Sequence, residues 1–454
     1  MPEDTIIAIS TPFGYGGLGI VRLSGERSLS IAKKLFKPKK RKEIMPRSPI
    51  LGNLYNFEQK EVFDEAYLTF FPKPQTYTRE DMVEISCHGS PVILEEVVRL
   101  GIKAGARHAL SGEFTLRAFL RGRIDLLQAE AVNDLIQAPS LKQAKISFHQ
   151  TQGKLSEKTS SLRRGIIHLL AQIEAGIEFP DEGLQISSRQ TEKNLDSLIQ
   201  SLQRLVKSYD LGKSLSEGIS LAIVGKANVG KSTLFNSLLE RERAIVSPYP
   251  GTTRDYLKEK IKIKDSIFTL IDMAGIGTPR HPVEKEGIKR GEQQAREAEG
   301  TLLLLDSAGK ESAEDFNLIE KFKDKKTILL FNKTDLPQKM DKRKVKLRAR
   351  DMPYLDISAL RGTNLDKLRE MIPEFFLPPQ ENEDDIILHL RQKLLLEDIL
   401  ACLQKAYHLL QEGHPEELYA EEVRKTLPVI GQLTGEIRSE EIIEDIFSRF
   451  CVGK

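Results

Sequence analysis

The chain has 454 residues, and its 68 basic and 66 acidic side chains leave a formal charge of only +2. That excludes a globally basic nucleic-acid binder, so any nucleic acid must meet a local patch. Three scattered cysteines, Cys87, Cys402 and Cys451, exclude a disulfide framework or a cysteine metal cluster and fit a reducing compartment.

The length suggests about three domains. The opening MPEDT has neither the basic nor the apolar region of a signal peptide, and no run of about eighteen apolar residues occurs, so a cytoplasmic protein without a membrane segment is expected.

Residues 4–25, DTIIAISTPFGYGGLGIVRLSG, place a glycine turn between two short strands. Gly14, Gly16 and Gly19 match G-x-G-x-x-G formally, but Ile20–Leu23 is short and β-branched where a dinucleotide site requires a helix. Lys37–Lys42 reads as a basic loop, usually solvated. Strand-like runs AYLTFF and MVEIS follow, then an amphipathic helix over Pro91–Lys103 that ends at Gly105. One helical pattern covers Ser111–Ile136, with arginines at 117, 121 and 123. The first 120 or so residues are thus expected to form an α+β domain.

From Ile124 to about Lys213 apolar residues recur at helical spacing: Leu155, Leu162, Ile166, Leu169, Ile173 and Ile177, then Leu195, Leu198, Leu202 and Leu205. Pro180–Gly183 separates two long helices. The same texture returns at Leu396, Leu400, Leu403, Tyr407 and Leu410, stopped by Gly413 and Pro415. The acidic run Glu381–Asp385 reads as a solvated approach to it. Both flanks together suggest one bundle; a stripe of this spacing is core first and a dimer seam second.

Between the flanks lies GKANVGKST, Gly225–Thr233, which satisfies G-x-x-x-x-G-K-[ST]. The strand-like Ile219–Val224 precedes it and a helix starts over Leu234–Leu239. In that setting the backbone N–H groups of Asn228, Val229, Gly230 and Thr233 wrap phosphates, Lys231 reaches the β/γ oxygens, and Ser232 ligates Mg²⁺. In Gly251-Thr252-Thr253-Arg254-Asp255 one threonine completes the Mg²⁺ shell, with Thr253 taken as the ligand. Asp272-Met273-Ala274-Gly275 ends the strand Ile267–Ile271; Asp272 would hold the metal through water and Gly275 would meet the γ-phosphate.

Asn332-Lys333-Thr334-Asp335 ends the strand Thr327–Phe331. Asp335 accepts from guanine N1–H and the 2-amino group, a pair adenine lacks, while Ser358-Ala359-Leu360 backs O6 with a backbone N–H. Four such motifs in order specify a GTPase domain. Ile276 stands where Ras-like switches place the water-orienting glutamine. Glu284, in the same segment, is the candidate for that task, with a solvated charge as the alternative. No arginine finger is assignable.

The predicted architecture is multidomain: residues 1–120 an α+β domain, 121–215 the first part of a discontinuous α-helical bundle, 216–377 an inserted α/β Ras-like P-loop GTPase domain, and 378–454 the second helical part. Taken with the opening segment, EDMVEISCHG, GEFTLRAFLRGRIDLLQAEAV and the terminal FSRFCVGK, these motifs resemble the MnmE (TrmE) family of tRNA modification GTPases, within the TrmE-Era-EngA-like potassium-activated group. The resemblance runs in order along essentially the whole chain. Tyr15 and Met273 depart from it, where a basic residue and a threonine are usual.

The resemblance implies a homodimer formed through the N-terminal domains. Each would bind 5,10-methylene- or 5-formyl-tetrahydrofolate at Arg22, Glu84, Arg123 and Lys454; surface ion pairing is the bland alternative for these residues. It implies K⁺ held by Asn228 and by carbonyls of Ser247, Tyr249 and Thr252 as the G domains meet across the nucleotide, with Glu284 orienting water. It further implies a flavoprotein partner, MnmG, carrying FAD and using NADH, in a heterotetramer or larger complex. The product would be a 5-(carboxymethyl)aminomethyl or aminomethyl group on wobble uridine U34 of certain tRNAs. Cys451 is a candidate nucleophile toward uracil C6, with inert packing as the alternative. Two other classes compete: a ribosome-assembly or RNA-chaperone GTPase, and a regulatory GTPase scaffold without one-carbon chemistry.

Overall fold

The computed structural model describes residues 4–40, 43–178, 187–241, 258–272, 297–378, 386–437 and 439–454. Contacts divide the chain into two units: Met1–Asn133 with His149–Thr191 and Lys405–Lys454, and Asp134–Phe148 with Glu192–Gln404.

The first unit opens with a seven-stranded sheet. Its strands are β1 (Ile6–Ile9), β2 (Gly16–Ser24), β3 (Phe36–Pro38), β4 (Ile50–Asn56), β5 (Glu61–Phe71), β6 (Met82–Gly89) and β7 (Arg107–His108), in the order β3-β4-β5-β6-β2-β1-β7. Neighbours are antiparallel except the parallel pair β1 and β7. The period-two alternation of β1 sends Ile7 to one face, under α1 (Ser28–Leu35) and α2 (Pro91–Lys103), and Ile6 and Ala8 to the other, against Phe114. Burying an isoleucine fully contributes about 1.5–3 kcal/mol. At Gly101 an added Cβ would lie 2.3 Å from Ile7 Cδ1, so α2 packs this closely only with glycine there.

The basic loop expected at 37–42 is partly strand. Lys37 sits in β3, its ammonium 3.0 Å from the Tyr55 ring centroid, and Lys39 pairs with Glu65; residues 41 and 42 lie outside the described residues. The single helix expected over 111–136 is two, α3 (Glu113–Leu120) and α4 (Leu126–Gln137). Gly122 turns left-handed at φ +67° and ends the first, and the Asp125 carboxylate accepts from Gln128 N–H to start the second. Within α3, buried Arg117 joins Glu80, Glu113 and Asp4 in ion pairs of 2.7–3.1 Å. Removing one partner from such a buried set costs about 3–5 kcal/mol.

Then come α5 (Leu141–Thr151), α6 (Lys154–Glu178) and α7 (Ser188–Ser216). The stripe read from the sequence is largely core: Leu155, Leu162, Ile166, Leu169 and Ile173 are buried in α6, and Leu195, Leu202 and Leu205 in α7. Pro180–Gly183 and Glu381–Asp385 lie outside the described residues.

The second unit contains β8 (Ile219–Val224), α8 (Lys231–Arg241), β9 (Lys258–Ile263), β10 (Ser266–Asp272), β11 (Gly300–Asp306), α9 (Ala313–Phe322), β12 (Thr327–Asn332), α10 (Lys342–Ala349), β13 (Tyr354–Asp356) and α11 (Leu365–Phe376). The sheet order is β13-β12-β11-β8-β10-β9, parallel except for β9. One face packs on α8 and α11 through Phe235, Leu238, Leu368 and Ile372, the other on α9 and α10 through Ile319, Phe322 and Val345. The order of strands along the sheet reverses beside β8, so the crevice beyond the carboxyl ends is where an open α/β sheet binds its ligand.

Last come α12 (Leu390–Gln411), α13 (Glu416–Thr434) and α14 (Glu440–Ser448). In α12 the buried line is Leu396, Ile399, Leu403 and Ala406, a slight rotation from the expected stripe, with Leu400, Tyr407 and Leu410 only half-buried. In the first unit α13 packs along α6, and Phe447 and Phe450 close over Phe119 and Leu126. The fold is therefore multidomain: an α+β sheet domain, helices from both flanks, and a Ras-like α/β domain between them. Among the described residues no helix is long and apolar enough to cross a membrane.

Candidate functional site

The carboxyl edge of the second sheet gathers β8, β10 and β12 with their motifs. The turn from β8 into α8 is built for close backbone approach. At Gly225 a Cβ would meet Leu304 O at 2.6 Å, and at Gly230 it would meet Asn332 Nδ2 at 2.3 Å. Asn228 takes a left-handed φ of +62° and Lys333 one of +64°. Non-glycine residues held this way cost of order 1–3 kcal/mol and cluster at ligand sites.

Lys231 is buried, its Nζ donating to Gly225 O at 2.9 Å and Lys226 O at 2.7 Å. Burial pulls its pKa below the ordinary lysine value, partly offset by Asp272 and Glu314. Asp272, at the end of β10, is buried with Oδ1 lacking any partner among the described residues. Burial raises its pKa, offset by the Ser232 hydroxyl and Lys231. A buried carboxylate oxygen with no donor, beside a hydroxyl and an ammonium, fits a hard cation and the phosphates it accompanies.

Asn332 ties three motifs together: its Nδ2 donates to Val229 O at 2.7 Å and its Oδ1 accepts from Ala359 N–H at 2.9 Å. Of the backbone donors expected from Ser358-Ala359-Leu360 toward guanine O6, the Ala359 N–H is thus directed to Asn332. Ser358 Oγ donates to Asp335 Oδ1 at 2.6 Å and holds that carboxyl below its usual range. One acceptor oxygen of Asp335 is oriented and the carboxylate stays ionised, as guanine recognition requires. Thr233 lies in the first turn of α8, which starts at Lys231.

Sequence reasoning missed several supporting contacts. Lys226, inside the phosphate loop, donates to Asp315 Oδ2 at 2.7 Å and Ser312 Oγ at 2.8 Å, tethering the loop to the capping box that starts α9. Lys333 pairs with Asp306 at 2.6 Å. The S-x-x-D spacing at Ser312 signals the helix start; its pairing with Lys226, far away in sequence, has no local signal. Ser247, Tyr249, Thr252, Thr253, Gly275 and Glu284 lie outside the described residues.

A second cluster lies in the first unit. Arg22 on β2 is in register with Glu84 on β6, and donates from Nε at 3.0 Å and Nη2 at 2.8 Å to Glu84 Oε1. The chain terminus docks there: Ser111 and Val452 form a β-bridge, Phe114 N–H donates to Lys454 O at 3.1 Å, and Ser10 Oγ donates to Gly453 O at 3.2 Å. Gly453 is required, because a Cβ would stand 2.1 Å from Ile9 O. Lys454 is half-buried, and burial followed by the charge of Arg22 lowers its pKa, with Glu84 and Cys451 opposing. Two cations and a carboxylate gathered at one point offer both donors and an acceptor to a polar, anionic ligand.

Arg123 stands beside Tyr77, its guanidinium carbon 4.8 Å from the ring centroid and Nη1 donating to Tyr77 O at 3.0 Å. Cys451 is exposed, whereas buried Cys87 has its thiol pushed up to about 12, chiefly by burial.

A family model described as the GTP-binding protein TrmE N-terminus matches residues 5–123, and one described as the MnmE helical domain matches residues 126–451. The tRNA modification GTPase MnmE of Thermotoga petrophila is 39% identical over 457 residues, spanning 99% of this chain and 100% of that protein. The proteins of the same name from Acetivibrio thermocellus and Aquifex aeolicus are 38% and 39% identical, each over 100% of this chain and at least 99% of its own length.

Proposed function

The chain belongs to the MnmE family and is a GTP hydrolase acting in tRNA modification; from that premise we propose that GTP turnover at the β8–α8 edge is potassium-activated and serves one-carbon chemistry at the Arg22–Glu84–Lys454 cluster. The observation that carries the proposal is the docked terminus. Lys454 and Gly453 cluster with Arg22 and Glu84, residues from the opposite end of the chain and separate in sequence from the nucleotide motifs.

At the nucleotide edge, backbone N–H groups of Asn228–Thr233 and the Lys231 ammonium hold the triphosphate, and Asp335 reads guanine. Mg²⁺ at Ser232 and Thr253, and K⁺ at Asn228, Ser247, Tyr249 and Thr252, would supply positive charge where the β–γ bridge develops negative charge. Glu284 orients the attacking water, whose addition to the γ-phosphorus breaks the bond to the bridging oxygen and leaves GDP and phosphate. Asp272 would hold the metal through water.

At the cluster, Glu84 accepts N–H bonds from a pterin edge while Arg22, Arg123 and Lys454 hold the glutamate tail. Bound tetrahydrofolate would supply the one-carbon unit. The Cys451 thiol, exposed and near Lys454, would be the nucleophile toward a uracil ring. We assign the chain a homodimer, a flavoprotein partner of the MnmG type with FAD and NADH, and U34 of certain tRNAs as substrate. The division into 1–120, 121–215, 216–377 and 378–454 is supported at its first boundary by the handover between family models at residues 123 and 126.

Mass spectrometry of wobble nucleosides in tRNA from cells lacking the protein tests the reading. Loss of the 5-(carboxymethyl)aminomethyl group is the expected result; an unchanged wobble uridine profile refutes it.

A further inference from the structure

We infer that α10 of the GTPase domain is a docking ridge for the phosphate backbone of tRNA; the inference rests on the tRNA reading above. Lys342–Arg350 carries six cations in nine residues, Lys342, Arg343, Lys344, Lys346, Arg348 and Arg350, and no acid. Without these six the chain's formal charge would fall from +2 to −4, so this one helix holds the basic surplus of a near-neutral protein. A near-neutral chain that handles a polyanion needs such a local patch.

The helix arranges the charge as a ridge. Val345 and Ala349 point into the core, which leaves Arg343 and Leu347 on the opposite, outward crest. Leu347 is 79% exposed there. One flank carries Lys342 and Lys346 beside Phe331 and Tyr354, with Lys346 Nζ 3.5 Å from the Tyr354 ring centroid. The other carries Lys344 and Arg348 beside Phe316, Glu311 and Glu320, at 3.3 Å and 3.9 Å from the two carboxylates. Among the described residues the side chains of Arg343 and Arg350 make no hydrogen bond or ion pair. Cavities of about 580 and 590 Å³ both lie on the flank that faces α9, and Leu347 and Arg348 line both.

Like charges one turn apart repel, and Lys342–Lys346, Lys344–Arg348 and Lys346–Arg350 are three such pairs. Facing acids answer part of this: Lys342 pairs with Asp356, and Lys344 and Arg348 meet Glu311 and Glu320, while Asp341 is spent as the N-cap of α10; Arg343 on the crest has no such partner. A polyanion lying along the crest relieves all three pairs at once, and exposed Leu347 and Tyr354 offer apolar surface to bases or sugars at its margins.

The test uses the full-length chain. Arg343→Glu/Arg350→Glu, and the milder Arg343→Gln/Arg350→Gln, are compared with wild type for binding fluorescent tRNA over a KCl series. RNA-free GTP turnover and melting temperature verify that both variants fold. At about 0.15 M salt the reversal variant is expected to bind at least tenfold more weakly. Its slope of log affinity on log salt should be shallower by about one to two, with the glutamine pair intermediate. Wild-type affinity and slope in both variants overturn the ridge while leaving the tRNA reading intact. A wild-type chain that does not bind tRNA overturns that reading, and the ridge with it. Loss of binding to phosphatidylserine vesicles with tRNA binding retained overturns it in favour of an anionic membrane.

Discussion

Substituting Gly230 by alanine tests the nucleotide edge at its tightest point. The new Cβ would lie 2.3 Å from Asn332 Nδ2, on a residue whose φ is +101°. The left-handed backbone costs an L side chain about 1–2 kcal/mol. Asn332 is buried and must move, releasing its 2.7 Å bond to Val229 O, its 2.9 Å bond from Ala359 N–H, or both. A buried polar group left without its partner costs about 1–3 kcal/mol.

Together these give about 2–5 kcal/mol, divided between domain stability and nucleotide affinity. If all of it falls on affinity, GDP binding weakens by about thirty-fold to a few thousand-fold. Titration with a fluorescent GDP analogue, paired with calorimetric melting, measures both shares. Gly309→Ala is the control, since its Cβ would meet nothing closer than Asp306 O at 3.8 Å. A Gly230→Ala chain with wild-type GDP affinity and melting temperature would refute the reasoning, because the strain would have to appear in one or the other.

Asp335→Asn replaces an acceptor with a donor, so preference should shift from GTP toward xanthosine triphosphate, whose 2-keto oxygen accepts; competition binding that still favours GTP contradicts the assignment. Burial raises the pKa of Asp272 above its unfolded value of 3.8. Its charged form is therefore disfavoured in the fold, a penalty that is fully developed above the folded pKa and fades as pH falls toward 3.8. Asp272→Asn should then raise the melting temperature of the metal-free protein at neutral pH by about a few degrees, a gain that shrinks on acidification while Mg²⁺-dependent GTP binding weakens. A lower melting temperature at neutral pH counts against the buried-charge argument. Cys451→Ser should keep GTP turnover and lose uridine modification in a reconstituted assay with the flavoprotein; full modification removes the thiol from the chemistry.

The nucleotide motifs were legible because each is a short spacing tied to a strand end. Ile219–Val224 is the observed β8, and the two other motif strands differ from their expected bounds by a residue at one or both ends. Pro91–Lys103 was legible for the same reason, a proline start and a clean apolar period. The break at Gly122 was missed because leucines and alanines on both sides keep one helical rhythm across it. The rotation in α12 has a related cause: Ile399 and Leu400 are both apolar, and only tertiary packing chooses Ile399. Long-range pairs such as Lys226 with Asp315 and Arg22 with Glu84 leave no trace in local spacing. The second was reached only through family resemblance, and the strand register of β2 and β6 supplies its geometry.

The most direct test of the central claim, that a monovalent ion does the work of an arginine finger at Asn228, compares GTP turnover in KCl and NaCl at matched ionic strength while nucleotide affinity is followed in parallel. Turnover that collapses in NaCl with GDP affinity unchanged is the expected result. Equal turnover in the two salts would contradict it.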